Sequence, residues 1–189
     1  TTDPDIYAVG DAVETFSRLG RTYGSFAQAG PAQRQARAAA DHICGQYHNN
    51  RGYIATSCLR VFHLNAAATG MNEKALKKSG IPYEVAYVLP SDKVSIMPDA
   101  HYMAFKLLFE VPTGRILGAQ AIGQGDAIRR VDVIATLLTM NGTLEDLKEM
   151  ELCYSPVYGT AKDVVNMAAL VGLNILYNRV KQVHVDQVR

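Results

Sequence analysis

The sequence predicts an α+β fold: an antiparallel sheet with helices packed on one side, preceded by a piece of a parallel α/β sheet. Three stretches carry this. Tyr102–Val111 and Ile116–Ile122 are apolar runs joined by Pro112-Thr113-Gly114-Arg115, which reads as a hairpin. After residue 125 the apolar spacing turns helical and stays so. At the start, Ile6–Val9 is too short for a helix and suits a strand buried on both faces, with Gly10-Asp11 ending it. Such a strand end is where open α/β sheets hold ligands. The glycine lets a ligand approach the backbone, and the carboxylate accepts hydrogen bonds from hydroxyl groups.

The elements follow in order. Asp3-Pro4-Asp5 is a turn, and Ala12–Gly30 reads as irregular, broken by Gly20, Gly24 and Gly30. Pro31 suits a first helical turn, and the Ala-, Gln- and Arg-rich stretch to Gln46 continues the helix. Tyr47–Gly52 is a polar connector and the best domain boundary, so residues 1–50 and 51–178 are expected as separate parts, with 179–189 a linker. Ile54–Phe62 is rich in strand formers, Asn72–Ser79 is a short helix closed by Gly80, and Tyr83–Leu89 alternates as a strand. Ser91–Ala100 is a loop. Asp126 caps a helix with Ile128, Val131, Ile134, Ala135 and Leu138 on one face, ended by Gly142. Thr143 and Asp146 form a capping box for a helix to about Met150. A last helix is expected from Thr160 to about Lys181. It is apolar around most of its circumference, more than a small core can cover, which suggests a partner subunit.

Composition narrows the function classes. The 189 residues are 48% apolar and 20% charged, as in an ordinary globular domain. A net charge of +1 gives no electrostatic basis for binding nucleic acid or an anionic membrane. No apolar run approaches the roughly 18 residues of a membrane span. Cys44, Cys58 and Cys153 are odd in number and widely spaced, neither a disulfide framework nor a metal set. A reduced, cytoplasmic protein is expected. His42, His48, His63, His101 and His184 share no ligand spacing. Cys153 has no histidine or second cysteine nearby in sequence to lower its pKa. Arg129-Arg130 could meet a ligand phosphate but reads better as a solvated or dimer-face pair. Asn141-Gly142-Thr143 is a glycosylation sequon by pattern only.

Four segments together carry a resemblance. Thr1–Asp11 (TTDPDIYAVGD) looks like the second flavin motif of the FAD-dependent pyridine nucleotide–disulfide oxidoreductases. Ala29–Arg37 is similar to the helix start that follows it there. Gly114–Gly123 resembles the hairpin of that family's C-terminal dimerisation domain. Tyr154–Tyr158 with Ala161–Ala168 is similar to the coenzyme A-disulfide reductase, NADH oxidase and peroxidase branch, in place of the His–Glu dyad of glutathione-reductase-like members. The resemblance covers about residues 1–178.

It implies the C-terminal portion of a flavin-dependent NAD(P)H oxidoreductase, comprising the end of an α/β FAD-binding domain and a dimerisation domain. The cofactors implied are FAD, with NADH or NADPH as donor. The partners implied are a second copy of the chain and a small thiol or disulfide, or oxygen. Gly10 and Asp11 match the ribityl-binding turn. Ala27, Gln28 and Ala29 match the segment under the flavin ring, and Tyr158 matches a tyrosine reaching the flavin and substrate thiol of the other subunit. Gln33 and Asn166 fall where the family contacts the coenzyme A moiety. Ser95–Ala100 departs from the pattern: Ile96 and Met97 stand where the coenzyme A-disulfide reductases have tyrosines. That leaves room for another small thiol, a persulfide or polysulfide, or oxygen as the substrate. The redox cysteine and the G-x-G-x-x-G motifs are not within the sequence, and residues 183–189 look like a lead into a rhodanese domain. A free-standing, non-enzymatic dimerisation or binding module of the same fold is the alternative.

Overall fold

The computed structural model describes residues 1–183 and Val188. His184 and most of the expected lead into a further domain lie outside the described residues. The chain divides into two compact units, Thr1–Ala55 and Thr56–Arg189.

The first unit holds strands β1 (Glu14–Ser17) and β2 (Thr22–Ser25), paired antiparallel, and helix α1 (Ala29–Ile43). Two sequence expectations fail here. Ala12–Gly30 is not irregular: Phe16 and Tyr23 face each other across the hairpin with ring centroids 5.5 Å apart, a cross-strand aromatic pair. Nor is Ile6–Val9 a buried strand. No described strand pairs with it, and Ile6, Tyr7 and Val9 are exposed. A parallel strand is buried by neighbours on both edges. Without them in this unit, the segment runs as open coil, tied by the Thr1 hydroxyl donating to the Ile6 carbonyl at 2.6 Å.

The second unit is built on a five-stranded antiparallel sheet. Its strands are β3 (Ser57–Val61), β4 (Leu64–Gly70), β5 (Tyr83–Val88), β6 (Met103–Glu110) and β7 (Ile116–Gly123), in the order β3-β4-β7-β6-β5. The β6–β7 hairpin turns at Val111–Arg115, as its sequence predicts. β4 carries no strand signal in the sequence: Asn65-Ala66-Ala67-Ala68 has poor strand formers. It forms because it lies between β3 and β7, where small side chains let helix α3 (Ala127–Met140) pack closely.

Three helices cover one face. α3 lies on β4 and β7, while α5 (Val164–Leu176) lies on β5 and β6 with α4 (Leu144–Glu149) beside it. Phe105, Leu107, Ala119 and Ala121 of the sheet meet Val131, Ile134 and Leu138 of α3 and Val165, Ala168 and Leu173 of α5 within this layer; all are buried. The short α2 (Glu73–Ser79) covers one end of the opposite face, where Leu76 joins Val85, Leu108 and Leu117. The rest of that face is open, with Leu59, Tyr87, Leu89 and Ile122 exposed.

Caps explain the helix ends. Asn72 accepts from the Ala75 N–H and Gly80 closes α2 at φ 70°. Asp126 caps α3. Its left-handed end falls on Asn141 rather than Gly142, which instead donates to the Leu137 carbonyl at 2.8 Å. The Thr143–Asp146 capping box is present. α5 starts four residues later than its apolar pattern suggests, because Asp163 and Asn166 form a second capping box there. It stops at Leu176, short of Lys181.

Candidate functional site

In the first unit, the Gly10–Asp11 turn is fixed by a residue that sequence reasoning passed over. Gln35 of α1 is buried; its side-chain oxygen accepts from the Gly10 N–H at 2.7 Å and its amide donates to the Thr15 hydroxyl at 2.6 Å. One glutamine thus ties the turn to β1 from the inward face of α1. Gly10 sits at φ 92° with open space where a side chain would stand, a conformation that favours glycine and leaves the backbone approachable. Asp11 is exposed, as are Ala27, Gln28 and Ala29. Gln28 is the N-cap of α1 and makes no side-chain capping bond, and the first turn carries no acidic residue. The first N–H groups of this 15-residue helix therefore stay available to an electron-rich group. A carboxylate for hydroxyls, an approachable glycine and an uncapped helix start suit a flavin's ribityl chain and polarised ring edge. Gln33 is exposed on the same helix.

In the second unit, Tyr158 lies on the loop between α4 and α5, with its side chain exposed. Tyr154 and Val157 on the same loop are also exposed. The loop backbone is firmly tied. The Tyr158 and Gly159 N–H groups both donate to the Ser155 carbonyl, at 2.8 and 3.0 Å. Asn166, implied by the resemblance as a substrate contact, is buried with its amide group turned to backbone. It donates to the carbonyls of Leu147 at 3.0 Å and Met150 at 3.1 Å and accepts from the Asp163 N–H at 3.2 Å. It joins the end of α4 to the start of α5, and so frames the loop between them.

Of the arginine pair read as solvated or dimer-facing, Arg130 is not solvated. Arg130 is buried, 1% exposed. Its guanidinium forks onto Asp163, with Nε 3.3 Å from Oδ1 and one terminal nitrogen 3.0 Å from Oδ2, and also donates to the Asp92 carbonyl at 2.7 Å and the Asp126 carbonyl at 3.0 Å. Burial of this charge is tolerated because its donors are met by a carboxylate and two carbonyls. Helical spacing places position 130 on the inner face with Ala127, Val131 and Ile134, but only the acid at 163 reveals its role. Arg129 pairs with Asp126 at 2.8 Å. Cys44, Cys58 and Cys153 are exposed free thiols, and the described residues contain no cluster of three or more metal-ligating side chains.

Residues 56–164 match the family described as pyridine nucleotide-disulphide oxidoreductase, dimerisation domain. That is more than half of the chain. The chain belongs to this family. It is 27% identical to the coenzyme A disulfide reductase of Staphylococcus epidermidis over 168 residues, which span 88% of the chain and 38% of that protein. The structure of reduced Bacillus anthracis CoADR-RHD superposes with a TM-score of 0.95 at 40% identity, over 99% of this chain and 34% of the other. A NAD-dependent persulfide reductase from A. fulgidus also superposes with a TM-score of 0.95, at 31% identity, over 98% of this chain and 34% of its own. The chain thus spans little more than a third of the length of these relatives. Its helix-covered antiparallel sheet is the dimerisation domain's, and the Tyr158 loop falls within the matched residues.

Proposed function

We propose that the chain is the C-terminal portion of an FAD-dependent oxidoreductase that takes electrons from NADH or NADPH. The parent enzyme reduces a small disulfide or persulfide, such as coenzyme A disulfide, or oxygen or peroxide. The observation that carries this reading is 40% identity at a TM-score of 0.95 to CoADR-RHD across 99% of the chain, with the Tyr158 loop inside it. Bound FAD would supply hydride acceptance and transfer of electrons to a thiol. The chain's own residues bind and orient. Asp11 holds ribityl hydroxyls, the Gly10 backbone lets the cofactor approach, and Ala27, Gln28 and Ala29 with the start of α1 lie along the ring edge. Tyr158 extends its phenol to the flavin and substrate thiol of the partner copy, and Gln33 contacts the substrate. Asn166 serves the substrate side by fixing the loop backbone.

The homodimer belongs to the same reading. The open sheet face and the Tyr154–Tyr158 loop expose apolar and aromatic side chains of the kind that mark protein contacts. Among the described residues no helix is long and apolar enough to cross a membrane, and we place the enzyme in the cytoplasm. By itself this portion is expected to be colourless and inactive with NADH.

The test is made on the full-length gene product. It is expected to purify with a flavin absorbance band that NADH or NADPH bleaches without oxygen. Coenzyme A disulfide, a persulfide or oxygen should restore the band, and Tyr158→Phe should slow that restoration about tenfold, a barrier change of ~1.4 kcal/mol. A protein without bound flavin, or one whose flavin no pyridine nucleotide reduces, would overturn the reading.

A further inference from the structure

The exposed phenol of Tyr158 hangs from a backbone tied to the first turn of α3. One terminal nitrogen of Arg129 donates to the Tyr158 carbonyl at 3.1 Å. Its Nε donates to the Asp126 carboxylate at 2.8 Å, and that same carboxylate caps the helix through the Arg129 N–H, so the guanidinium is itself fixed. Gly159, the next residue, is buried, and a β-carbon there would lie 3.6 Å from both Arg130 and the Asp163 carboxylate. The chain therefore passes directly over the buried Arg130–Asp163 pair.

That pair is anchored from three elements. Arg130 comes from α3 and Asp163 is the N-cap of α5. Asp92, from the loop after β5, receives Arg130 on its carbonyl and the His101 N–H on its carboxylate at 2.8 Å. Gly125 is the residue that admits this loop, since a side chain there would collide with the Asp92 carboxylate. A buried ion pair adds little stability over apolar packing of the same volume, but it fixes geometry, because a planar fork fits a carboxylate in one orientation.

We infer that Arg129 and Arg130 are positioning residues that set where Tyr158 presents its phenol. Arg129 fixes the carbonyl of Tyr158 itself. Arg130, through Asp163, fixes the floor on which Gly159 and the start of α5 rest. The inference rests on the reading that Tyr158 reaches the reacting centre, and its test separates the two.

The experiment uses the full-length flavoprotein with Arg129→Ala and Arg130→Lys, each alone and combined with Tyr158→Phe. Arg129 is partly exposed, so its variant keeps the test valid should the lysine variant not fold. Amide hydrogen exchange at Tyr158 and Gly159 is expected to accelerate at least about tenfold, with β6, β7 and the middle of α3 unchanged. Flavin reduction by NADH should stay within about twofold, while reoxidation by the disulfide or oxygen slows about tenfold; in the Tyr158→Phe background the arginine changes should add almost nothing. Unchanged exchange at residues 158–159 overturns the inference. So do arginine effects that add in full to that of Tyr158→Phe, or that slow flavin reduction equally. Accelerated exchange with normal kinetics in Tyr158→Phe alone upholds the clamp and overturns the role given to Tyr158.

Discussion

Asn166 and Glu110 show how single polar groups hold this domain together. Removing the Asn166 side chain would take its donor from the buried Leu147 carbonyl and from the Met150 carbonyl, and its acceptor from the Asp163 N–H. Asn166→Ala is expected to destabilise the second unit by about 2 kcal/mol in a urea titration, the scale of leaving buried groups unsatisfied. Glu110 accepts from Arg115 at 3.2 Å and from the Thr113 hydroxyl at 2.6 Å across the β6–β7 turn. The Arg115 guanidinium, helped by that hydroxyl, holds the Glu110 carboxyl below its ordinary value of 4.5. The unfolded chain therefore takes up this proton first as pH falls. The contribution is complete above the ordinary value and is lost as pH drops through the lower folded one. Melting temperature against pH should show Glu110→Gln below the parent at neutral pH and converging with it in acid. A constant gap at all pH values would contradict this. At this scale the sequence was least informative. Gln33 was singled out and is exposed, whereas Gln35, two residues on, holds the Gly10 turn. Two glutamines on an Ala-rich helix look alike until the turn they face is in place. Arg130 likewise looked solvated, because its carboxylate partner lies 33 residues away.

Elements were more legible where local chemistry decides them. The Gly80 stop, the Asp126 cap and the Thr143–Asp146 box are all readable within a few residues and all present, whereas Asn72, read as the first helical residue, is the cap. Thr143→Ala removes the hydroxyl that accepts from the Asp146 N–H and should cost about 1 kcal/mol. The loss should appear as earlier denaturant unfolding and faster amide exchange in α4. What the sequence hid depends on tertiary partners. β4 is a strand because β3 and β7 flank it, not because of its alanines. Ile6–Val9 is no strand, because a parallel strand needs neighbours that the first unit does not hold. Thr160–Lys162 stayed out of α5 because Asp163 caps it, a choice the apolar pattern cannot register.

For the whole molecule, the antiparallel sheet with helices on one side was the most secure expectation. It rests on the hairpin, the order of strands before helices and the apolar faces, which reinforce each other. The resemblance added what residue patterns cannot: the family, and with it the reading of Tyr158 as a group offered to another subunit. α5 is only half-buried along Met167, Leu170, Val171 and Ile175, and one sheet face remains open, so apolar surface is left over after the chain has folded. Burying such surface at roughly 25 cal/mol per Å² is the natural source of a dimer's stability. The central claim is that this chain is an interface-forming portion, and light scattering on the purified 189-residue protein tests it most directly. A colourless species at twice the 20.6 kDa chain mass is expected. A species at the chain mass across the concentration range would contradict it.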